Sequence, residues 1–295
     1  MTADSTVIVP AGPCQNCGST AMTADGYCEQ CGHGAPSGRD HVELDLGSLA
    51  GVTDRGRRHH RNEDAMALAM TQTPAGPAVL GVVCDGVSTS HRPDDASLAA
   101  AETALQVLTA EVRTGTSAAD ALTAATVAAQ KAVAGLAADS EDAPATTIVS
   151  ACVTASAVTV CWVGDSRAYW LPADGADALL LTRDDSVGES LIAVGVLSET
   201  EAIESPHGHV LTRWLGADAQ HAEPHTTSFG PSGPGVLLLC TDGLWNYQPS
   251  AGGLAELTPA APENLAGAAA ALLQFALDRG GEDNITAVLA SFPPR

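Results

Sequence analysis

Val79-Leu-Gly-Val-Val-Cys-Asp-Gly86 is a short apolar run that ends on an aspartate and a glycine. The same grammar returns far down the chain. Leu237-Leu-Leu-Cys-Thr-Asp-Gly243 closes another apolar run, and Gly280-Gly-Glu-Asp-Asn284 opens the last one. Asn62-Glu63-Asp64 is a fourth acidic word. Short apolar runs bounded by turn residues read as buried strands. Carboxylates at the ends of distant strands are how a β-rich fold builds a site for hard cations, so the pattern points to metal-assisted phosphate chemistry. One Asp-Gly pair alone is an ordinary turn. Its recurrence beside apolar runs carries the reading.

Working outward, strands are expected at 79–84, 147–153, 158–163, 178–181, 235–240 and 285–291. Between the first two, Leu98, Ala101, Leu105, Leu108 and Val112 lay an apolar stripe at helical spacing over 96–112, with Asp94 and Asp95 as N-cap candidates. A second helix is expected over 118–138, opened by the capping pattern Ser117-Ala-Ala-Asp120. A third should begin near Pro262, present Leu265, Ala269, Leu272 and Ala276 on one face, and stop at Gly280-Gly281. This order does not alternate as βαβ, so the fold class is α+β and layered.

Hydrophobic residues make up 45% of the 295-residue chain but aromatics only 3%, so alanine, valine and leucine must fill the core. The net charge of −22, from 35 acidic against 13 basic residues, repels phosphate backbones and excludes extended nucleic-acid binding. The opening Met1-Thr-Ala-Asp-Ser lacks a basic and apolar leader, and no run approaches the roughly 20 apolar residues of a membrane span. A cytoplasmic location and no membrane partner are the expectations. Cys84, Cys152, Cys161 and Cys240 sit singly inside apolar runs and read as inert core thiols.

Four other cysteines follow a different rule. Cys14-x2-Cys17-x10-Cys28-x2-Cys31 is a pair of knuckles, with Gly18 and Gly32 after each second cysteine. Two such knuckles complete a tetrahedral four-thiolate zinc site. Redox pairs or disulfides are the alternatives, disfavoured by the cytosolic setting and by the doubling. The expected organisation is a zinc ribbon over 1–35 holding one structural zinc, a linker over 36–41, and a domain over 42–295. The ribbon's acidic character argues against DNA and for a protein partner.

The ordered words extend further: Thr53-Asp-Arg-Gly, Arg61-Asn-Glu-Asp64, Val83-Cys-Asp-Gly86, Ala145-Thr-Thr147, Val163-Gly-Asp-Ser-Arg167, Leu181-Thr-Arg-Asp-Asp-Ser186, Cys240-Thr-Asp-Gly243 and Gly280-Gly-Glu-Asp-Asn-Ile-Thr286. Over about 42–292 this series resembles the metal-dependent protein phosphatases of the 2C type, in their compact bacterial form. The resemblance implies a four-layer α-β-β-α sandwich of two antiparallel sheets. It also implies hydrolysis of phosphoserine and phosphothreonine in signalling phosphoproteins by a hydroxide held between two Mn2+ or Mg2+ ions. By the same resemblance Asp85 would bridge the ions, and Asp242 and Asp283 would complete the first. The Gly86 carbonyl and Glu63 would serve the second, Asp64 would hold its waters, and Asn284 would orient Asp283. Asp165 with Asp242 would form a more labile third site.

The chain departs from the pattern in three places. Where the family sets a phosphate-gripping arginine, four residues before Glu63, this chain has His59. Arg55, Arg57, Arg58 and Arg61 crowd around it, so the stretch is either a solvated charged loop or a phosphate clamp using Arg58 or Arg61. After Gly86 the family's usual continuation is replaced by Val87-Ser-Thr-Ser90, and His91 is a weak candidate for an acid. Ala145 stands where glycine is usual. Residues 187–209 occupy the place of the family's flap. Two functions remain in competition: an active phosphatase, and a catalytically weak phosphatase-like binding module. A zinc-ribbon nucleic-acid factor fails on charge.

Overall fold

The apolar runs form strands because they are buried on both faces, except the one expected over 178–181, where only Leu179 and Leu180 pair, as an exposed edge. In the computed structural model, which describes residues 38–137, 143–173, 178–205, 208–220, 222–258 and 264–294 together with 19, 21 and 30, the chain opens with four strands. They are β1 (His41–Asp45), β2 (Leu49–Asp54), β3 (Asp64–Thr73) and β4 (Gly76–Asp85). Helices α1 (Pro93–Thr114) and α2 (Ala118–Ala134) follow. Next come β5 (Ala145–Thr146), β6 (Ile148–Thr154), β7 (Val158–Val163), β8 (Arg167–Pro172) and β9 (Leu179–Leu180). Helices α3 (Val187–Ala193) and α4 (Glu199–Glu204) precede β10 (Leu215–Gly216), β11 (His225–Phe229) and β12 (Gly235–Cys240). The chain closes through α5 (Asp242–Trp245), α6 (Ala251–Leu257), α7 (Leu265–Asp278) and β13 (Ile285–Phe292). The four cysteines and all but three residues of the expected zinc ribbon lie outside the described residues, as do 36 and 37 of the linker, whose last residue, His41, already belongs to β1.

One sheet runs β1-β2-β13-β12-β8-β9 and the other β11-β7-β6-β4-β3, with every neighbouring pair antiparallel. Alternation along each strand sorts its side chains between two cores. On β4, Val79 and Val83 face the other sheet, while Leu80, Val82 and Cys84 face α1 and α2. On β12, Leu237 and Leu239 point between the sheets, and Val236, Leu238 and Cys240 pack toward α7. The result is helices, sheet, sheet, helices. Each fully buried valine or leucine contributes about 1.5–3 kcal/mol of transfer free energy. The near absence of aromatics is met by alanine. Ala96, Ala100, Ala101 and Ala104 of α1 and Ala121, Ala125 and Ala129 of α2 are buried against the five-stranded sheet. The four single cysteines are buried and free, and burial raises their thiols.

Local details correct the sequence reading. Helix α1 starts at Pro93, with Arg92 in the left-handed region (φ 50°) as N-cap and no side-chain cap. Asp94 and Asp95 therefore lie in the first turn, where they favour the positive end of the helix dipole rather than capping it. Ser117 does cap α2, accepting from the Asp120 amide at 3.2 Å, but the helix stops at Ala134. Asn264 caps α7 through the Gly267 amide at 2.9 Å; Pro262 lies outside the described residues. No described helix is long and apolar enough to cross a membrane.

Candidate active site

Register brings the acidic words together. Asp64 begins β3 and Asp85 ends β4, and the two are paired across the ladder. Asp242 follows β12 and Asp283 precedes β13, and those strands are neighbours. The amide of Thr241 donates to the carbonyl of Thr286 at 3.2 Å, which extends the ladder to the level of both aspartates.

Asp64 is buried (2% exposed) and is held by a directional relay of hydroxyls. The Asn62 amide donates to Thr53 Oγ1 at 2.8 Å, and the Thr53 and Thr286 hydroxyls meet at 2.7 Å. Thr286 Oγ1 donates to Asp64 Oδ2 at 2.7 Å, and Thr241 Oγ1 donates to the same oxygen at 2.9 Å. Thr53 must therefore donate to Thr286. Every proton in the chain points toward the carboxyl, an arrangement that favours its ionised form. Its other oxygen, Oδ1, is buried without a protein partner.

Asp85 is positioned by the Thr-Thr word. Its carbonyl accepts from the Thr147 amide and the Thr146 hydroxyl, both at 2.8 Å, and its amide donates to Thr147 Oγ1 at 3.2 Å. Thr147 Oγ1 also meets Ser166 Oγ at 2.8 Å, which ties Asp85 to the word that carries Asp165. Gly86 is required by close approach: a Cβ there would lie 2.5 Å from the Pro93 carbonyl oxygen and 2.7 Å from that of Glu63. Glu63 is half-buried, and its Oε2 accepts from the Ser88 hydroxyl at 2.7 Å. The unusual Val87–Ser90 loop thus touches the site.

Asp242 is the first residue of α5 and accepts from Asn246 Nδ2 at 3.2 Å, with the Asp85 carboxyl close by. Gly243 is again forced, since a Cβ would lie 1.9 Å from the Asn284 carbonyl oxygen. Asn284 works as a staple. Its amide group donates to the carbonyls of Arg55 and Arg61 at 2.8 and 3.1 Å and accepts from the Glu63 amide at 2.8 Å, while its own N–H donates to Asp283 Oδ1 at 2.8 Å. Asp283 Oδ1 also takes His59 Nε2 at 3.1 Å. Trp245, at the end of α5, donates its indole N–H to the Asp165 carbonyl at 3.0 Å. The Arg167 guanidinium lies 3.7 Å from its ring centroid, and His209 stacks on it at 5.8 Å.

The electrostatics are unbalanced. Burial first, then Asp283 and Asp242, push Asp64 up to about 8. Burial and Asp283 push Asp242 up to about 7. Burial together with neighbouring aspartates holds Asp85 and Asp165 well above the usual carboxylate range. Asp283 alone lies below it: burial raises it, but the His59 and Asn284 hydrogen bonds outweigh that. Among the described residues no three acidic, histidine or cysteine side chains converge as a finished cation cage. An all-oxygen donor set, buried negative charge without a matching cation and an orphaned Asp64 oxygen together fit hard divalent ions.

A family model described as Protein phosphatase 2C matches residues 53–261. The chain belongs to the protein phosphatase 2C family. The serine/threonine phosphatase stp of Listeria innocua is 33% identical over 249 residues, which span 80% of this chain and 92% of that protein. Stp1 from Staphylococcus aureus shares the fold, with a TM-score of 0.71 at 24% identity over 85% of this chain and 98% of that one. The catalytic domain of PstP, solved with two manganese ions, gives a TM-score of 0.67 at 26% identity over 83% and 97%.

In this protein phosphatase 2C chain, the basic segment is already engaged. Arg58 pairs with Glu282 at 2.7 Å and Arg61 with Asp94 at 3.0 Å, both at the surface, whereas His59 faces Asp283. His91 is exposed. The threonines that hold Asp64 and Asp85 were visible as letters in the acidic words, but their roles were not, because each bond joins segments far apart in sequence. Asp185 was also missed as an anchor. It is buried, accepts from the Gly164 amide at 3.0 Å, and lies 2.9 Å from His225 Nε2 and 3.5 Å from Arg213 Nε. It thereby ties β11 and the segment after the flap to the loop that carries Asp165.

Proposed function

We propose that this protein phosphatase 2C member hydrolyses phosphoserine and phosphothreonine in proteins at the carboxylate end of the sandwich, using two Mn2+ or Mg2+ ions with a third, more labile one. The observation that carries the reading is the group Asp64, Asp85, Asp165, Asp242 and Asp283, with Asp64 and Asp165 buried and the other three half-buried, and with too little cationic charge to balance it. Asp85, Asp242 and Asp283 would hold the first ion. Asp85, the Gly86 carbonyl and Glu63 would hold the second, and Asp165 with Asp242 the third. Such ions supply an activated water and neutralise charge on the transferring phosphoryl group. The chain's own part is preorganisation. The hydroxyl relay favours the ionised form of Asp64 against the burial that raises it, Ser88 aims Glu63, and Asn284 with His59 fixes Asp283. The binding-module alternative loses ground, because all the expected carboxylates are present and the curated relatives are named as phosphatases.

Substrate phosphate would be gripped by Arg58 or Arg61. Their present partners form surface pairs, worth about 0–1 kcal/mol, so either guanidinium can exchange a carboxylate for a phosphate at little cost. Full-length protein should hydrolyse a phosphothreonine peptide with Mn2+ and fail to do so with chelator. Alanine at the responsible arginine should lower kcat/KM by roughly tenfold to a few hundredfold, the scale of a charge-assisted hydrogen bond. If both arginine variants keep wild-type kcat/KM while His59→Ala abolishes it, the histidine is the phosphate ligand. A Mn2+-loaded protein that turns over no phosphorylated peptide would sink the function.

The proposal extends to residues 1–35 as a zinc ribbon that docks a protein partner, with 42–295 as the catalytic domain. The support is the spacing of Cys14, Cys17, Cys28 and Cys31. Elemental analysis should find one zinc per chain, lost in Cys28→Ser, while that variant still hydrolyses a small aryl phosphate. A zinc-free wild-type protein purified without chelator would refute the ribbon.

A further inference from the structure

A groove of about 470 Å³ runs beside the carboxylate site, lined by Val87, Ala145, Val210, Leu211, Trp214 and Asp218 among others. Its floor is continuous with the site. Val87 follows Gly86, and its amide donates to the Ala145 carbonyl at 2.9 Å. Ala145 precedes Thr146, whose hydroxyl holds the Asp85 carbonyl. The opposite wall is the segment after the flap, and it is anchored. The Thr212 amide donates to the Asp185 carbonyl at 2.8 Å, Leu215 is fully buried, and β10 pairs with β5.

The groove's chemistry is mostly apolar. Val210 stands 48% exposed at its rim, beside the half-buried Trp214. The indole N–H of Trp214 donates to Asp218 Oδ1 at 2.9 Å, so the polar edge of the ring is satisfied and its remaining surface is hydrocarbon. A preformed, mainly apolar groove of this volume that opens next to a reaction centre calls for an occupant. A polypeptide whose phosphorylated residue reaches Asp85 and Asp242 can carry its residues on one side past Gly86 and Val87 into this groove. The chain's net charge of −22 and Asp218 at the groove disfavour an acidic side chain there.

We propose that this groove is a specificity subsite that receives an apolar side chain flanking the phosphoserine or phosphothreonine, and that it rejects acidic flanks. The inference rests on the phosphatase reading given above. The test uses the full chain with Mn2+, a small aryl phosphate, and phosphothreonine peptides carrying leucine, lysine or aspartate at each flanking position in turn. On one side of the phosphothreonine, leucine should exceed aspartate by about tenfold or more in kcat/KM, the discrimination an apolar pocket supplies. Val210→Asp, at an exposed position, and Trp214→Ala should each erase most of that preference while aryl phosphate turnover stays within about twofold. Equal kcat/KM for all flanks, or a leucine preference that survives both substitutions, overturns the subsite and leaves the phosphatase standing. No turnover of the aryl phosphate or of any peptide brings down the phosphatase reading and the subsite with it.

Discussion

Asp242→Asn should reduce Mn2+-dependent turnover by roughly 10²–10³-fold or more, the scale of losing one group from a preorganised electrostatic site. On the proposed reading Asp242 serves two ion positions at once, and burial with Asp283 already holds its carboxyl up at about 7. Asparagine keeps the shape and one oxygen but removes the charge that balances the ions. The fold should survive. Residue 242 starts a short helix whose neighbour Asn246 can still hydrogen-bond it, and the substitution relieves repulsion from Asp283. Circular dichroism should match wild type, and metal-free thermal stability should be equal or higher. A folded Asp242→Asn enzyme with most of its kcat/KM intact would falsify the assignment of Asp242.

The second large effect is an inverted pH dependence of the metal-free protein. Asp64 at about 8 and Asp242 at about 7 stand above the unfolded value of 3.8, and Asp85 and Asp165 shift the same way. The folded chain therefore binds protons that the unfolded chain releases between about pH 4 and pH 8. Stability should fall as pH rises through that window, by on the order of a few kcal/mol. Asp283 behaves oppositely. Its contribution is present above the unfolded value and is lost as pH falls through its depressed folded value, so the profile should turn down again in stronger acid. With chelator present, the melting temperature should be highest near pH 5 and lower at pH 8. Mn2+ should raise it by mass action, and far more at pH 8 than at pH 5, because protons compete for the same oxygens. A chelated protein with a flat profile from pH 5 to 8, or an Mn2+ increment independent of pH, would show that these carboxylates do not form one charged site.

The sequence by itself determined the inner strands and the acidic words. Runs such as 79–84 and 235–240 face two cores at once, so burial on both sides writes them as unbroken apolar segments that need no partner to be recognised. The cap of α2 was also legible, because Ser117 and Asp120 lie within a single turn. Other elements owe their form to neighbours. The alanine- and methionine-rich Asp64–Thr73 is a strand because β4 pairs along its full length, and β1, β2, β8 and β11 likewise take their identity from the ladder. The caps assigned to Asp94 and Asp95 failed because Pro93 can take the first helical position without giving up a needed amide bond. Within the site, the letters Asp64, Asp85, Asp242 and Asp283 were readable, yet what holds them was not. The hydroxyls on Asp64 come from β13 and from the loop after β12, and the histidine on Asp283 comes from 224 residues earlier in the chain. Hydrogen bonds between segments so far apart leave no spacing signal. They exist only once the two sheets have set the register, and that is the part of this protein that tertiary structure alone decides.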